Sequence, residues 1–180
     1  MRIAPVTHTS ANDATKSLLD SVQNTMGMVP NVIATMAHSP VVTQAYLGLN
    51  QGLSGGSLDP KLQERLALAI GEFNDCSYCV SAHCALGSKA GLERDEIERA
   101  RHADSDCETA RAILQFARTI VERRGRVSDQ DIAEVRSKGL GDREIVEILG
   151  HVALNTLTNY LNHIAGTEID FPVAPKLARV

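Results

Sequence analysis

The chain contains no tryptophan and only three phenylalanines and three tyrosines, so aromatic residues are 3% of its 180 positions. Its core must be filled by Ala, Leu, Ile and Val, which favours closely packed helices over a β-sandwich. No apolar run approaches the ~18 residues that a membrane span needs, and no membrane association is expected. No run of five like charges occurs, and 18 Lys+Arg against 22 Asp+Glu leave a net charge of −4. A nucleic-acid footprint and a polybasic membrane patch are therefore not expected. The first residues, Met1 to Asn12, lack a charged start followed by an apolar stretch, so a secretory signal is not expected and a cytoplasmic location is. With 43% hydrophobic and 22% charged residues, the composition excludes disordered and fibrous classes. Cysteine is sparse: Cys76, Cys79, Cys84 and Cys107 are the four present. In a reducing compartment persistent structural disulfides are rare, which leaves metal binding or redox chemistry.

What the sequence has in abundance is helix punctuation. An amphipathic stretch from Asp13 to Thr25 is closed by Gly27 and Pro30, and a short apolar piece, Val32 to Met36, follows. Pro40 opens another stretch, which the loop from Gly52 to Ser57 ends. Asp59-Pro60 is a cap with proline at the first helical position, and Leu62, Leu66, Ala69, Ile70 and Phe73 predict a helix over 60–73. Asn74-Asp75 predicts a break, with a second helix from Cys76 to Lys89 stopped by Gly91. A charged helix spans Glu93 to His102, and Ser105 with Glu108 reads as a capping box for a long helix ending near Gly125. Ser128 with Asp131 caps the next, closed by Gly139; Asp142 begins a last helix through Val146, Leu149, Val152, Leu157 and Leu161 to Gly166, and the tail from Phe171 is extended. The expected fold class is all-α, a bundle of about eight helices with no significant sheet. One domain is expected over 1–180, with 1–56 an N-terminal helical layer and 57–166 the core that carries the cysteine pair.

The chemistry concentrates at Cys76-Ser77-Tyr78-Cys79 and His83. On a helix these positions put both cysteines and the histidine on one face, one turn apart. Cys76 at the helix N-terminus would be held toward thiolate by unpaired N–H groups and the helix dipole. His83 can hydrogen-bond the Cys79 sulfur or stabilise its thiolate. A thiolate is the species that attacks a disulfide or a peroxide O–O bond, and a second sulfur must resolve the sulfenic acid that results. Two carboxylates are candidates for moving the proton: Glu72, one turn before Cys76 if the helix is continuous, and Glu64, in an apolar and small-residue setting. Glu64 reaches the cysteines only if the chain folds back at Asn74-Asp75, since one straight helix would separate it from Cys76 by roughly 18 Å.

The run from Glu64 to Ile70, then Cys76, Cys79 and His83, resembles the core motif of the AhpD-like alkylhydroperoxidase branch of the carboxymuconolactone decarboxylase family: a glutamate, eleven residues, then C-x-x-C-x-x-x-H. The likeness extends more loosely through Gly125–Asp129, Asn162-His163-Ile164 and Ile169–Pro172, similar to uncharacterised peroxidase-related members. What it implies is an AhpD-like helical fold, homo-oligomers of two, three or six chains, and thiol-dependent reduction of a small hydroperoxide in an antioxidant role, with no metal or other cofactor beyond the Cys76–Cys79 couple. An external dithiol, thioredoxin-like or lipoyl, would be the reductant. By position Cys79 would be the attacking cysteine, Cys76 the resolving one, and Glu64 and His83 the proton relay. The helix-terminus reading instead ranks Cys76 as the more activated thiol. Tyr78 stands where the characterised peroxidase has a relay histidine, and a phenol with pKa near 10 is a poor base at neutral pH.

Two other functions stay open. One is lactone or decarboxylation chemistry, as in the family's other branch, which does not depend on the dithiol. The other is a redox-switched or zinc-stabilised binding module, with His102 and Cys107 completing a four-ligand set. Cys84 and Cys107 read as passive thiols and Met26, Met28 and Met36 as gap fillers. The sequence assigns His151 and His163 no single role; with Asn155, Asn159 and Asn162 they could make a polar stripe at a subunit interface.

Overall fold

The computed structural model describes residues 1–177, so the end of the expected domain, 178–180, lies outside the described residues. Within them stand nine helices and no strand: α1 (Asp13–Met26), α2 (Asn31–Met36), α3 (Pro40–Ser54), α4 (Pro60–Phe73), α5 (Ser77–Lys89), α6 (Arg94–Arg101), α7 (Glu108–Glu122), α8 (Asp129–Ser137) and α9 (Asp142–Ala165). The all-α reading holds. The count exceeds the expected eight because the apolar piece 31–36 closes a short helix of its own.

Local chemistry explains most boundaries. Asn12 accepts the Thr15 N–H at 2.9 Å, and Gly27 ends α1 in the left-handed region at φ +79°. Ser39 and Asp59 cap α3 and α4, each with proline in the first turn. The Ser128–Asp131 capping box forms as expected. The Ser105–Glu108 box does not. Glu108 is the first residue of α7, not the third, and Ser105 Oγ accepts the Cys107 N–H at 3.3 Å within the preceding turn. Glu108 takes Lys138 as its partner instead, at 3.0 Å.

Helix α4 is the centre of the bundle, packed by α5, α6, α7 and α9, with Leu66, Leu68 and Ile70 fully buried. The main core runs from these residues through Ile113, Leu114 and Ile148, and Phe116 is its one buried aromatic. A second apolar cluster joins Val22, Val32 and Ile33 of α1 and α2 to Cys76, Tyr78, Cys79 and Ala82 at the start of α5. The N-terminal layer is thus the roof of the cysteine pair. Helix α3 lies on α9, where Gly150 makes room for Leu53: a Cβ there would come within 2.9 Å of Leu53 Cδ2.

Helix α9 reverses the pattern read from its sequence. His151, Asn155, Asn159 and Asn162 are buried inside the chain, so they do not form an interface stripe, and His163 is exposed, its Nε2–H donating to the Asp75 carbonyl at 3.3 Å. The outward face carries Val146 (66% exposed), Leu149, Leu157, Tyr160 and Ile164. Helices α2, α3, α4, α5 and α7 surround the other side; Asn74 Nδ2 donates to Asn159 Oδ1 at 2.8 Å and Asn155 Nδ2 to the His151 carbonyl one turn back at 2.9 Å, while His151 Nε2 and Asn159 Nδ2 have no partner among the described residues.

Burial holds the His151 imidazole below its ordinary pKa, against the pull of the Glu147 and Glu64 carboxylates. The fold therefore favours the neutral ring, while the unfolded chain takes up a proton near pH ~6.5. The stability that His151 contributes is present above that pH and is lost as pH falls below it. Between about pH 8 and about pH 5.5 the wild-type melting temperature should drop more than that of His151→Gln; parallel curves would contradict this.

Candidate active site

The break expected at Asn74-Asp75 is present, and it builds the site. Asn74 ends α4, Asp75 adopts φ +54°, and the Cys76 N–H returns to the Gly71 carbonyl at 2.9 Å, so α5 folds back along α4. Cys76 is the cap residue of α5, not its first helical residue, and its sulfur accepts the Cys79 N–H at 3.3 Å. Cys76 and Cys79 are joined in a disulfide with Cα atoms 5.3 Å apart. They are 1% and 3% exposed, so neither sulfur meets bulk solvent. A sulfur at this position, facing the first N–H groups of a helix, is favoured as thiolate once reduced.

Folding back brings Glu64 of α4 to His83 of α5. His83 Nδ1–H donates to Glu64 Oε2 at 2.8 Å, both side chains about one-fifth exposed, at 23% and 22%. The expectation that His83 holds the Cys79 sulfur is corrected: its partner is this carboxylate. Glu72, the other candidate, accepts Arg101 Nε–H at 2.7 Å and is occupied there.

The group that does hold the sulfurs is one that the sequence reading assigns to the α9 polar stripe and not to the dithiol. Asn162 Nδ2, from α9, lies 3.2 Å from Cys79 Sγ and 3.8 Å from Cys76 Sγ. Its 83 residues of separation from Cys79 leave no local signal. Tyr78 is the second surprise. Its hydroxyl donates to Asp170 Oδ1 at 2.7 Å and accepts the Val32 N–H at 3.2 Å, and its ring meets Phe171 edge-on at 5.9 Å. Burial, then the Asp170 hydrogen bond, pushes the phenol well above its ordinary pKa. Tyr78 therefore ties α2 and the C-terminal segment over the dithiol and has no free group for a relay. Tyr78→Phe should leave a buried N–H unpaired and lower stability by about 1–3 kcal/mol in denaturant unfolding; an unchanged midpoint would contradict this.

The two cysteines line different cavities. Cys79 and Asn162 line a mostly apolar one with Val32, Ile33, Ala82, Leu86 and Phe171, and His83 and Tyr46 are on its wall. Burial and then the Glu64 charge push the Tyr46 phenol up to about 12. Cys76 lines a polar cavity with Glu72, Asp75, Arg101 and Lys176. The tail crosses it, held by the Ala174 N–H on Ser81 Oγ at 3.1 Å and by Arg101 Nη2–H on the Pro175 carbonyl at 2.9 Å. Cys84 is half-buried against the main core, where desolvation raises its thiol pKa, and Cys107 is exposed. Among the described residues no group of three or more His, Cys, Asp or Glu is placed to hold a metal, so the set with His102 and Cys107 is not assembled.

Residues 40–122 match the sequence profile of the Carboxymuconolactone decarboxylase family. That segment belongs to this family. Glu64, Cys76, Cys79 and His83 lie inside the family segment, while Val32, Asn162 and Asp170 are supplied from outside it. No curated protein matches the sequence. Among solved structures, the chain is similar to an uncharacterised peroxidase-related protein with an alkylhydroperoxidase AhpD core from Ralstonia eutropha JMP134, at 25% identity, 94% coverage of this chain and 92% of that one, and a TM-score of 0.83. An uncharacterised peroxidase-related protein from Silicibacter sp. TM1040 shares the fold at 21% identity, with coverage of 93% and 92% and a TM-score of 0.80. So does the debrominase Bmp8 in complex with 2,3,4-tribromopyrrole, at 19% identity, with coverage of 94% and 92% and a TM-score of 0.78. The AhpD-like fold is therefore shared over 94% of the chain, well beyond the segment that matches the family.

Proposed function

We propose that this chain reduces organic hydroperoxides through the Cys76–Cys79 couple. The observation that carries the reading is the placement of Cys79 on an apolar cavity that His83, bonded to Glu64, also lines. In the reduced protein the Cys79 thiolate attacks the outer oxygen of ROOH; the O–O bond breaks, Cys79 becomes the sulfenic acid, and the alkoxide takes a proton from the His83–Glu64 pair to leave as ROH. Cys76 then attacks the sulfenic sulfur and water leaves as the disulfide forms. An external dithiol, thioredoxin-like or lipoyl, attacks Cys76 from the polar side, Cys79 leaves as thiolate, and a second exchange releases the oxidised reductant. The net reaction converts ROOH and a dithiol into ROH, water and a disulfide. Such a cycle suits the cytoplasm, where dithiols are kept reduced; no helix among the described residues is long and apolar enough to cross a membrane.

The test is consumption of cumene hydroperoxide with dihydrolipoamide as reductant. Turnover that needs both cysteines is expected. Lactone or decarboxylation activity surviving loss of both thiols would overturn the reading.

A second reading rests on the same apolar cavity and on the debrominase with this fold. The dithiol would replace an aryl bromine by hydrogen, the two thiols being oxidised to the disulfide with release of bromide. Reduced protein mixed with 2,3,4-tribromopyrrole and assayed for bromide distinguishes the two.

We also propose a homo-oligomer built on the outward face of α9. Between Glu147 and His163 that helix carries no carboxylate, lysine or arginine, so two copies can meet without burying a charge. Sedimentation should show an oligomer that Leu149→Glu with Tyr160→Glu dissociates; a monomeric wild type would contradict it.

A further inference from the structure

We infer that Asn162 is a catalytic residue of the dithiol, its amide N–H holding Cys79 as thiolate and its amide oxygen receiving the O–H of the hydroperoxide. The second half rests on the peroxidase reading; the first does not.

Asn162 is 5% exposed and belongs to the buried polar face of α9. On that face Asn155 donates to a main-chain carbonyl and Asn159 accepts from Asn74, while Asn159 Nδ2 and His151 Nε2 have no partner among the described residues. Asn162 differs in that its Nδ2 lies against both sulfurs and closer to Cys79, at 3.2 Å against 3.8 Å. A carboxamide has its donors at one end and its acceptor at the other, so donation to sulfur leaves Oδ1 for something else. That oxygen is buried and has no hydrogen-bond partner among the described residues. Buried amide oxygens without partners are rare and costly, and this one belongs to a residue that lines the cavity beside Cys79, within a small side-chain movement of a ligand's donor. A hydroperoxide whose outer oxygen sits on Cys79 brings one O–H into this cavity.

The same contact bears on the choice of sulfur. The helix N-terminus favours thiolate at Cys76, whereas the Asn162 amide favours it at Cys79, the sulfur on the apolar side. A hydrogen bond to an anion is the stronger kind, so the amide offsets the helix-terminal advantage of Cys76. When the external reductant attacks Cys76, the amide is also in place to receive Cys79 as the leaving thiolate.

The test uses the reduced full-length chain carrying Cys84→Ser and Cys107→Ser, with Asn162→Ala and Asn162→Asp compared against it and folding checked by circular dichroism. Iodoacetamide alkylation is followed against pH, and mass spectrometry assigns each cysteine. In Asn162→Ala the Cys79 curve should move up by about one pH unit or more, cutting its reactivity at neutral pH about tenfold. Asn162→Asp, which places a carboxylate by the sulfur, should move it further. An unchanged Cys79 curve in a folded variant overturns the thiolate role. For the oxygen, cumene hydroperoxide is compared with methyl methanethiosulfonate, which has no O–H. Asn162→Ala should lose more with the hydroperoxide; equal losses overturn that role. A wild-type chain inert to hydroperoxide, with the alkylation shift intact, removes the peroxidase reading and the oxygen role and leaves the thiolate role standing.

Discussion

Replacing Cys79 by serine should lower the steady-state rate of hydroperoxide reduction by about 10³-fold or more, the scale of losing an enzyme's nucleophile. A serine hydroxyl does not ionise near neutral pH, and the remaining thiol of Cys76 lines the polar cavity away from the apolar one. Cys76→Ser should behave differently. It retains the attacking sulfur, so one equivalent of hydroperoxide is still reduced and the sulfenic acid on Cys79 persists, where dimedone traps it. Turnover of Cys79→Ser near the wild-type rate, with a sulfenic acid on Cys76, would mean that the helix N-terminus decides the order of attack and the Asn162 amide does not.

The second large effect is expected at the carboxylate. In Glu64→Gln the His83 ring loses its carboxyl partner at 2.8 Å and with it the means of supplying a proton as the O–O bond breaks. General acid catalysis of this kind contributes about 10²–10⁴-fold. The loss should depend on the leaving group. An alkoxide from cumene hydroperoxide needs the proton, whereas acetate from peracetic acid leaves without it, so the variant should be impaired far more with the first. His83→Gln should show the same selectivity, and the double variant should add little, because the two residues act as one unit. Equal slowing of both oxidants would assign the pair to structure alone.

How much of this was legible in sequence divides by the range of the cause. Helix α4 is read to its first and last residue because Asp59-Pro60 and the spacing from Leu62 to Phe73 are local. The return of α5 onto α4 follows from Asn74-Asp75, and with it the approach of Glu64 to His83. The Ser105–Glu108 reading failed because a capping box needs its acid at the third helical position, and the helix began at Glu108. The polar stripe on α9 is compatible in sequence with either a surface or a core; five helices surround that side, so it is buried and the apolar residues face out. Tertiary contacts decided the rest. Asn162 is bonded to Cys79 across 83 residues and Asp170 to Tyr78 across 92, and neither pair leaves a spacing that a sequence reveals. Tyr78 shows the consequence: read beside a relay histidine it looked like a weakened catalyst, and its partners make it a staple.

Thiol titration of the fully reduced chain, before and after one equivalent of cumene hydroperoxide, tests the central claim most directly, with mass spectrometry to locate any disulfide and chromatography to measure the alcohol. Of the four thiols, the two at Cys76 and Cys79 should disappear together, linked to each other, with one equivalent of alcohol formed. Retention of all four, or loss confined to Cys84 or Cys107, would contradict a hydroperoxide-reducing dithiol at the head of α5.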